Sequence, residues 1–221
     1  MEGFKQRFIH HGNRYNVDEE KDMNSTERSG YLLTNADDSI LAIIDVQQEF
    51  LDKLDSDQRN PIVNRISWIS EMAERLDIPM IVTAEDTNTK KGTVRQVAEK
   101  LPQGTKAFNK MSYGLTGDKE ILQAIEKTGR NTVVLVGLET DVCICQSALG
   151  LLEKGYRVVV LEDAVGAPAP CHTQGIDRMR NAGAIISSVK GTFYEWQRNV
   201  ECGDTIFGDV YTTQQPEGIF L

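Results

Sequence analysis

The chain has 221 residues, a formal net charge of −9 and four cysteines. This length fits a single α/β domain with extensions better than it fits two separate hydrophobic cores. The acidic balance and the lack of any basic run argue against non-specific binding to nucleic acid or to acidic membranes. The longest apolar runs are about 5–7 residues, whereas roughly 20 are needed to span a bilayer.

Both ends of the chain differ in character from its middle. Residues 1–37 are polar, with scattered aromatic side chains, and contain no apolar core of a secretion signal. We therefore expect an N-terminal extension and a cytoplasmic location. Four cysteines are too few for a disulfide framework in a chain of this length, which favours reduced thiols. Residues 38–200 are assigned to one domain and residues 201–221 to a C-terminal tail.

The first predicted elements of the domain are two buried strands separated by a helix. Residues 40–44 form a continuous apolar run that ends at Asp45, which is typical of a strand buried on both faces. Pro61 is predicted to open the following helix, whose apolar residues recur every three or four positions up to Leu76. Residues 79–83 form the second apolar strand.

The alternation of strands and amphipathic helices continues through the second half of the domain. In chain order the pattern predicts a helix around 121–125, a strand at 132–136, a helix at 148–152, a strand at 156–161, a helix at 176–182 and a strand at 184–188. Such alternation predicts an α/β domain with a parallel sheet. Right-handed crossover connections then place helices on both faces of the sheet.

Three positions at the ends of predicted strands carry charged or reactive side chains. In an open parallel sheet, ligands bind beyond the carboxyl ends of the strands. The three positions are Asp45, the pair formed by Glu85 and Asp86, and the turn 137–143, which ends at Cys143.

Cys143 is the candidate nucleophile of this edge. Thr140 and Asp141 both favour the N-cap position, which places Cys143 in the first turn of a helix. There the helix dipole and free backbone N–H groups are expected to favour a thiolate over a thiol. The alternative is an inert cysteine buried as a small apolar residue. Cys145 lies about 200° further round the helix and is therefore predicted to pack in the core.

A cysteine nucleophile needs a base, and histidine is its usual partner. The chain has only His10, His11 and His172; the first two lie in the extension, and the third suits a capping or surface role. Asp45 is therefore the candidate base, because burial after an apolar strand raises the pKa of a carboxyl group. The other interpretation of Asp45 is a carboxylate that caps a loop. Lys110 is a candidate cation for both anions, but spacing alone does not select it from the other lysines.

Four segments resemble the isochorismatase-like cysteine hydrolases, a superfamily that includes nicotinamidases and N-carbamoyl amidohydrolases. These segments are LAIIDVQQEF at 41–50, FNKMSY at 108–113, VGLETDVC at 136–143 and GYRVVVLEDA at 155–164. The resemblance runs from about residue 40 to residue 188 and includes the order and spacing of the motifs. It implies a single Rossmann-like domain with a six-stranded, mostly parallel sheet and helices on both faces.

The resemblance also implies a catalytic triad of Asp45, Lys110 and Cys143, and it supplies the choice of Lys110 over the other lysines. In the family, backbone N–H groups of the strand-to-helix turn hold the oxyanion, and these correspond to Glu139 and Cys143. The family's cis peptide bond without proline corresponds to the bond between Leu138 and Glu139.

Other positions adjust what the resemblance implies about the substrate. Gln47, Phe50 and Tyr113 are assigned as substrate contacts, and the residues from Tyr113 onward depart from the usual family sequence of a pocket wall. Residues 83–87 contain no histidine, so we expect no catalytic metal and no other cofactor, and nicotinamidase activity is disfavoured. Cys143 favours acyl chemistry, because true isochorismate hydrolases lack a cysteine at this position.

The sequence therefore predicts a cysteine hydrolase that cleaves an amide, carbamoyl or ureido C–N bond in a small molecule through a thioester. One alternative is a hydrolase of isochorismate or another non-amide substrate, and a second is a pseudoenzyme or ligand-binding module of the same fold. The expected partners are a small-molecule substrate and further copies of the chain in a homodimer or tetramer. Neither nucleic acid nor a membrane is expected as a partner.

Overall fold

The sheet contains six strands within the residues that the computed structural model describes, 32–212 and 215–221. In chain order the strands are β1 (Ser39–Ile44), β2 (Met80–Glu85), β3 (Phe108–Lys110), β4 (Thr132–Leu138), β5 (Arg157–Gly166) and β6 (Ile185–Ser187). They lie in the order β3-β2-β1-β4-β5-β6, and all neighbouring pairs are parallel. The α/β fold predicted from the sequence is confirmed. Most of the predicted extension, residues 1–31, lies outside the described part of the chain.

Helices cover both faces of the sheet. They are α1 (Gln48–Leu51), α2 (Ser56–Arg75), α3 (Arg95–Ala98), α4 (Lys119–Lys127), α5 (Cys145–Glu153), α6 (Cys171–Asn181), α7 (Val189–Gln197) and α8 (Val200–Thr212). Among the described helices, none combines the length and the apolar character that crossing a bilayer requires.

The position of β1 at the centre of the sheet explains why its sequence is apolar throughout. Leu41 and Ile43 point to the face that packs against α2, α7 and α8. Ile40, Ala42 and Ile44 point to the opposite face, which packs against α4, α5 and α6. Because side chains alternate along a strand, a strand covered on both faces needs apolar residues at every position.

Pro61 does not open its helix as predicted, because α2 begins at Ser56 and contains Pro61 in its second turn. A proline inside a helix removes one backbone hydrogen bond, here the bond to the carbonyl group of Asp57. Asp57 lies in the exposed first turn, where water can satisfy that carbonyl group. The prediction was wrong because residues 56–60 are all polar and carry no apolar periodicity.

The C-terminal residues pack against the same core instead of extending from it. Phe207 in α8 is fully buried, and its ring meets the ring of Phe193 edge to face with 5.0 Å between centroids. Phe193 in turn contacts Trp68 of α2 at 4.7 Å. Ile219 is buried as well. The compact unit therefore extends over Leu33–Leu221, beyond the predicted domain boundary at residue 200.

The register of the strands brings the predicted strand ends to one edge. Ile44 pairs with Thr83 of β2 on one side and with Gly137 of β4 on the other. Glu85 pairs with Lys110 of β3. The residues that follow β1, end β2 and β3, and follow β4 therefore lie side by side at the carboxyl edge of the sheet.

The close approach of β1 and β4 at this edge requires glycine at position 137. The backbone of Gly137 has a φ of +123°, and a Cβ atom there would lie 1.9 Å from the carbonyl oxygen of Ile44. We predict that Gly137→Ala destabilises the fold by at least about 3 kcal/mol, because it combines backbone strain with a clash between two central strands.

A second glycine provides the matched control for this stability measurement. Gly129 has a φ of +68°, but nothing lies within 4 Å of a Cβ atom placed there. Gly129→Ala should therefore cost only about 1–2 kcal/mol, the strain of a left-handed backbone. Urea denaturation of both variants measures the difference, and equal losses would show that the contact with Ile44 is unimportant.

Candidate active site

The three residues of the predicted triad lie together at the carboxyl edge of the sheet. The Lys110 Nζ atom is 2.9 Å from Asp45 Oδ2 and 3.7 Å from Cys143 Sγ. The side chains of Asp45 and Lys110 are 0% exposed, and Cys143 is 3% exposed. The ammonium group is thus within contact distance of both the carboxylate and the thiol in a site that excludes bulk water.

Asp45 is held by one hydroxyl group and one ammonium group. Its Oδ1 atom accepts a hydrogen bond of 2.8 Å from the Thr83 hydroxyl group, while Oδ2 faces Lys110. Burial raises the pKa of the Asp45 carboxyl group, and this effect outweighs the opposing influence of the Lys110 charge and of the hydrogen bonds. A raised pKa suits a carboxylate that accepts and returns a proton near neutral pH.

Lys110 is oriented by backbone carbonyl groups as well as by Asp45. Its Nζ atom donates to the carbonyl oxygens of Ser112, at 2.7 Å, and Tyr113, at 3.2 Å. Both acceptors belong to the loop directly after β3, so the short strand and its loop form a cradle around the lysine's own ammonium group. These contacts fix the ammonium group between the Asp45 carboxylate and the Cys143 thiol.

The thiol of Cys143 is protonated in this environment. Burial and the neighbouring Asp45 charge raise its pKa to about 12, and the Lys110 charge only partly opposes them. The expectation of a thiolate stabilised by a helix N-terminus is therefore wrong. Loss of solvation, together with the Asp45 and Glu85 charges, outweighs the Lys110 charge. Cys143 must lose its proton to a neighbouring base before it can act as a nucleophile.

The turn that carries Cys143 is not the capped α-helix predicted from the sequence. Thr140–Ile144 forms a π-helical turn ahead of α5, and Glu139 occupies its N-cap position without a side-chain hydrogen bond. Thr140 is used differently, since its hydroxyl group lies 3.0 Å from Nδ1 of His172. The peptide bond between Leu138 and Glu139 is cis. Cys145 begins α5 and is fully buried in the apolar cluster between the sheet and α4, α5 and α6, as predicted.

Gln47, assigned from the sequence as a substrate contact, is fully buried and bonded to backbone. Its Oε1 atom accepts the N–H group of Glu85 at 2.7 Å. Its Nε2 atom donates to the carbonyl oxygens of Glu85, at 2.9 Å, and Lys91, at 2.7 Å. Both amide N–H groups are thus engaged, and Gln47 is better described as a residue that positions the end of β2.

Phe50 and Tyr113, the other two expected substrate contacts, differ in exposure. Phe50 is buried, and the ammonium groups of Lys53 and Lys90 lie 4.9 Å and 5.8 Å from its ring centre. Tyr113 is 58% exposed, so its side chain is open to a ligand. Phe50 contacts charged residues at the site, and both Phe50 and Tyr113 remain predicted substrate contacts.

Glu85 is a site residue that the sequence flagged only by its position at a strand end. Its Oε2 atom lies 3.7 Å from the Cys143 sulfur, and its Oε1 atom forms an ion pair of 2.8 Å with Lys90. The neighbouring Asp86 accepts a hydrogen bond from the Thr89 hydroxyl group within its own loop. Of this predicted pair, Glu85 is the residue that reaches the nucleophile.

Asp45, Glu85 and Cys143 also form a group of potential metal ligands. One carboxylate oxygen of each acid and the cysteine sulfur all lie within 4.8 Å of one another. Two carboxylates and a thiolate are ligands that zinc accepts. The Lys110 ammonium group lies 2.9 Å from Asp45 Oδ2. The buried carboxylate of Asp45 is thus already paired with a lysine.

Comparison with known proteins shows which family the chain belongs to. Residues 39–191 match the model of the isochorismatase domain. The secreted isochorismatase effector Isc1 of Phytophthora sojae is 30% identical over 175 residues, which cover 77% of this chain and 81% of the relative.

Solved structures agree with the sequence match in fold. A MAR1 ribonuclease from Caenorhabditis elegans superposes with a TM-score of 0.75 at 25% identity, covering 86% of this chain and 97% of the other. The YcaC protein of Escherichia coli, described as an octameric hydrolase of unknown specificity, superposes with a TM-score of 0.71 at 20% identity. That match covers 82% of this chain and 94% of YcaC. The chain therefore belongs to the isochorismatase family.

Proposed function

We propose that the protein is a cysteine hydrolase that cleaves an amide, carbamoyl or ureido C–N bond of a small molecule through a thioester. Asp45, Lys110 and Cys143 are its catalytic triad. The observation that carries the proposal is the position of the Lys110 ammonium group, 2.9 Å from the base and 3.7 Å from the nucleophile in a buried site. A sulfur atom in that setting suits covalent catalysis.

The proposed reaction begins with transfer of the Cys143 thiol proton to Asp45, while Lys110 stabilises the sulfur anion. The sulfur atom forms a bond to the substrate carbonyl carbon, and the carbonyl oxygen becomes an oxyanion. Asp45 then gives the proton to the leaving nitrogen as the C–N bond breaks, which produces a thioester and an amine. Water attacks the thioester, Asp45 accepts its proton, and the C–S bond breaks to release the acid and the thiol.

The proposed oxyanion hole consists of the backbone N–H groups of Glu139 and Cys143. Both belong to the turn between β4 and α5, which supports the assignment. A single backbone or amide donor in such a position contributes about 2.7–4 kcal/mol to the stabilisation of the transition state.

Other activities fit the chain less well. A ribonuclease, as named for the C. elegans relative, needs to attract phosphate groups, whereas this chain carries a net charge of −9 and places Glu85 at the nucleophile. A binding module has no need for a base and a cation buried beside a thiol. Isochorismate hydrolysis needs no nucleophilic cysteine. The favoured substrate is therefore a small amide-like molecule.

Location and assembly remain part of the proposal. We infer a cytoplasmic homo-oligomer, as the sequence predicts, with neither nucleic acid nor a membrane as partner. Among the relatives, E. coli YcaC is described as octameric, which supports association of copies, whereas the P. sojae protein is described as secreted. For this chain, the sequence predicts association as a homodimer or a tetramer.

Loss of the nucleophile should abolish turnover without unfolding the protein. We predict that Cys143→Ala lowers the rate of ammonia release by roughly 10⁴-fold or more, because the thioester can no longer form. Cys145→Ala, which removes a buried thiol two residues away, should retain most activity. The assay is a screen of primary amides and ureido acids by ammonia release, and equal losses in both variants would contradict the assignment.

Asp45→Asn should have opposite effects on turnover and on thiol reactivity. Turnover should fall at least about 100-fold, because the general base is lost. The Asp45 charge raises the pKa of the Cys143 thiol, so removing it lowers that pKa and makes the thiol more reactive towards iodoacetamide at pH 8. Mass spectrometry of the alkylated protein follows the second effect.

Lys110→Met is the matched variant for that experiment. The Lys110 charge lowers the pKa of the Cys143 thiol, so the loss of this charge in the variant should slow both alkylation and turnover. In the wild type, where the thiol pKa is about 12, the alkylation rate should rise about tenfold per pH unit up to pH 10. A plateau near neutral pH, or slower alkylation in Asp45→Asn, would contradict the proposed charge balance.

Removal of metal ions should leave activity unchanged. The reason is that lysine balances the Asp45 charge and that residues 83–87 supply no histidine ligand. Dialysis against EDTA followed by metal analysis and the ammonia assay tests this expectation. Activity that disappears with a stoichiometric zinc or iron ion, and returns on its addition, would overturn it.

A further inference from the structure

The Glu85 carboxylate is the charged group at the nucleophile that a substrate can reach. Asp45 and Lys110 are 0% exposed, whereas the Glu85 side chain is 16% exposed while its Oε2 atom lies 3.7 Å from Cys143 Sγ. The proposed mechanism uses the first two groups and leaves Glu85 without a role. A carboxylate in this position must either repel or bind whatever is attached to the carbon that the sulfur attacks.

Several contacts fix the Glu85 carboxylate in this position. The buried Gln47 amide bonds both the N–H group and the carbonyl oxygen of Glu85, which holds its backbone from two directions. Lys90 binds the Oε1 atom at 2.8 Å, which leaves Oε2 directed at the sulfur. Gln47 also bonds the carbonyl oxygen of Lys91, so the same amide ties the loop that carries Lys90 to the strand end. Such preorganisation is typical of a group that selects a ligand.

The chemistry of an ionised carboxylate narrows what it can select. It accepts hydrogen bonds and donates none, so it attracts N–H groups and repels ester oxygens and carboxylates. When a substrate carbon bonds to Cys143 Sγ, its remaining substituents lie next to that sulfur and within reach of Oε2. An amino group on this carbon would therefore donate to Glu85, whereas an alkoxy group would face it with lone pairs.

We propose that Glu85 is a substrate-binding residue that accepts a hydrogen bond from an N–H group on the carbon that Cys143 attacks. The site thereby selects primary amide, carbamoyl and ureido carbons over ester carbons of the same size. This inference rests on the proposed function in one respect, namely that Cys143 is the nucleophile. Beyond the proposed function, it identifies Glu85 as the group that discriminates between nitrogen-bearing substrates and other acyl substrates.

Two electrophiles that label thiols test the proposal without a known substrate. Cyanate, reacting as HNCO, adds the cysteine S–H across its C=N bond and gives an S-carbamoyl group with –NH₂ on the attacked carbon. 4-Nitrophenyl acetate transfers an acetyl group to sulfur and releases 4-nitrophenol, leaving –CH₃ at the same place. Intact-protein mass spectrometry gives both rates at Cys143, with Cys143→Ala as the background, and the measured quantity is the ratio of carbamoylation to acetylation.

Glu85→Gln should lower this ratio about tenfold or more, because a neutral amide is a weaker acceptor than a carboxylate. Glu85→Leu, which has no acceptor, should lower it further. The Glu85 charge also raises the pKa of the thiol, so its removal speeds both reactions by a common factor that the ratio cancels. Asp86→Asn removes the same charge one residue along, at a carboxylate bonded to Thr89, and should leave the ratio unchanged.

The outcomes separate this inference from the proposed function. An unchanged ratio in both Glu85 variants, while Cys143→Ala still abolishes turnover, would overturn the role of Glu85 alone. An equal fall in Asp86→Asn would also overturn it, since general charge and not contact would then decide. Absence of any adduct at Cys143 would overturn the nucleophile assignment, and the role of Glu85 with it.

Discussion

The buried ion pair between Lys110 and Asp45 is the interaction on which the rest of the site depends. Transferring two charges out of water costs several kcal/mol per ion, and only close contact with further hydrogen bonds offsets that cost. Here the Thr83 hydroxyl group and the carbonyl oxygens of Ser112 and Tyr113 supply those bonds. Evidence that such a pair stabilises a fold is weak in general, so its presence under full burial points to a functional role.

The sheet makes this costly arrangement possible by bringing four strand ends to one place. β1 lies between β2 and β4, and β3 pairs with β2, so Asp45, Glu85, Lys110 and the turn leading to Cys143 are neighbours although they are distant in sequence. Helices cover both faces of the sheet and shield the carboxyl edge from water on those two sides. A rigid layered core thus holds the reacting groups in fixed positions.

Charge balance at the edge explains why the thiol is neutral in the resting protein. Burial raises the pKa of the thiol most, the Asp45 and Glu85 charges raise it further, and the Lys110 charge only partly opposes them. A second tier of ion pairs lies further out, with Lys90 on Glu85 and Lys53 on Glu139, both beside the Phe50 ring. A substrate that alters these charges therefore alters the pKa of the thiol and the reactivity of the sulfur.

The alternation of strands and helices can be predicted from the sequence, because a strand covered on both faces must be apolar throughout and a surface helix must be apolar on one side. It also indicated Asp45, which directly follows a buried strand, and Cys143, which lies in the turn after another, because such positions lie at the edge where ligands bind. Lys110 was not accessible to this reasoning, because β3 has three residues and no periodicity, and only the resemblance to a family selected it.

Properties that depend on neighbours distant in the chain could not be predicted from local sequence. The pKa of Cys143 is raised by burial and by carboxylates from other strands. The expectation that a helix N-terminus would lower this pKa therefore had the wrong direction. The amide of Gln47 is engaged by the backbone of β2 and the following loop, which no local pattern reveals. Helix α8 joins the core because Phe207 meets Phe193 across two helices. Local sequence fixes which elements form. The pKa of a buried group, its hydrogen bonds and its packing depend on atoms from distant parts of the chain, which only folding brings together.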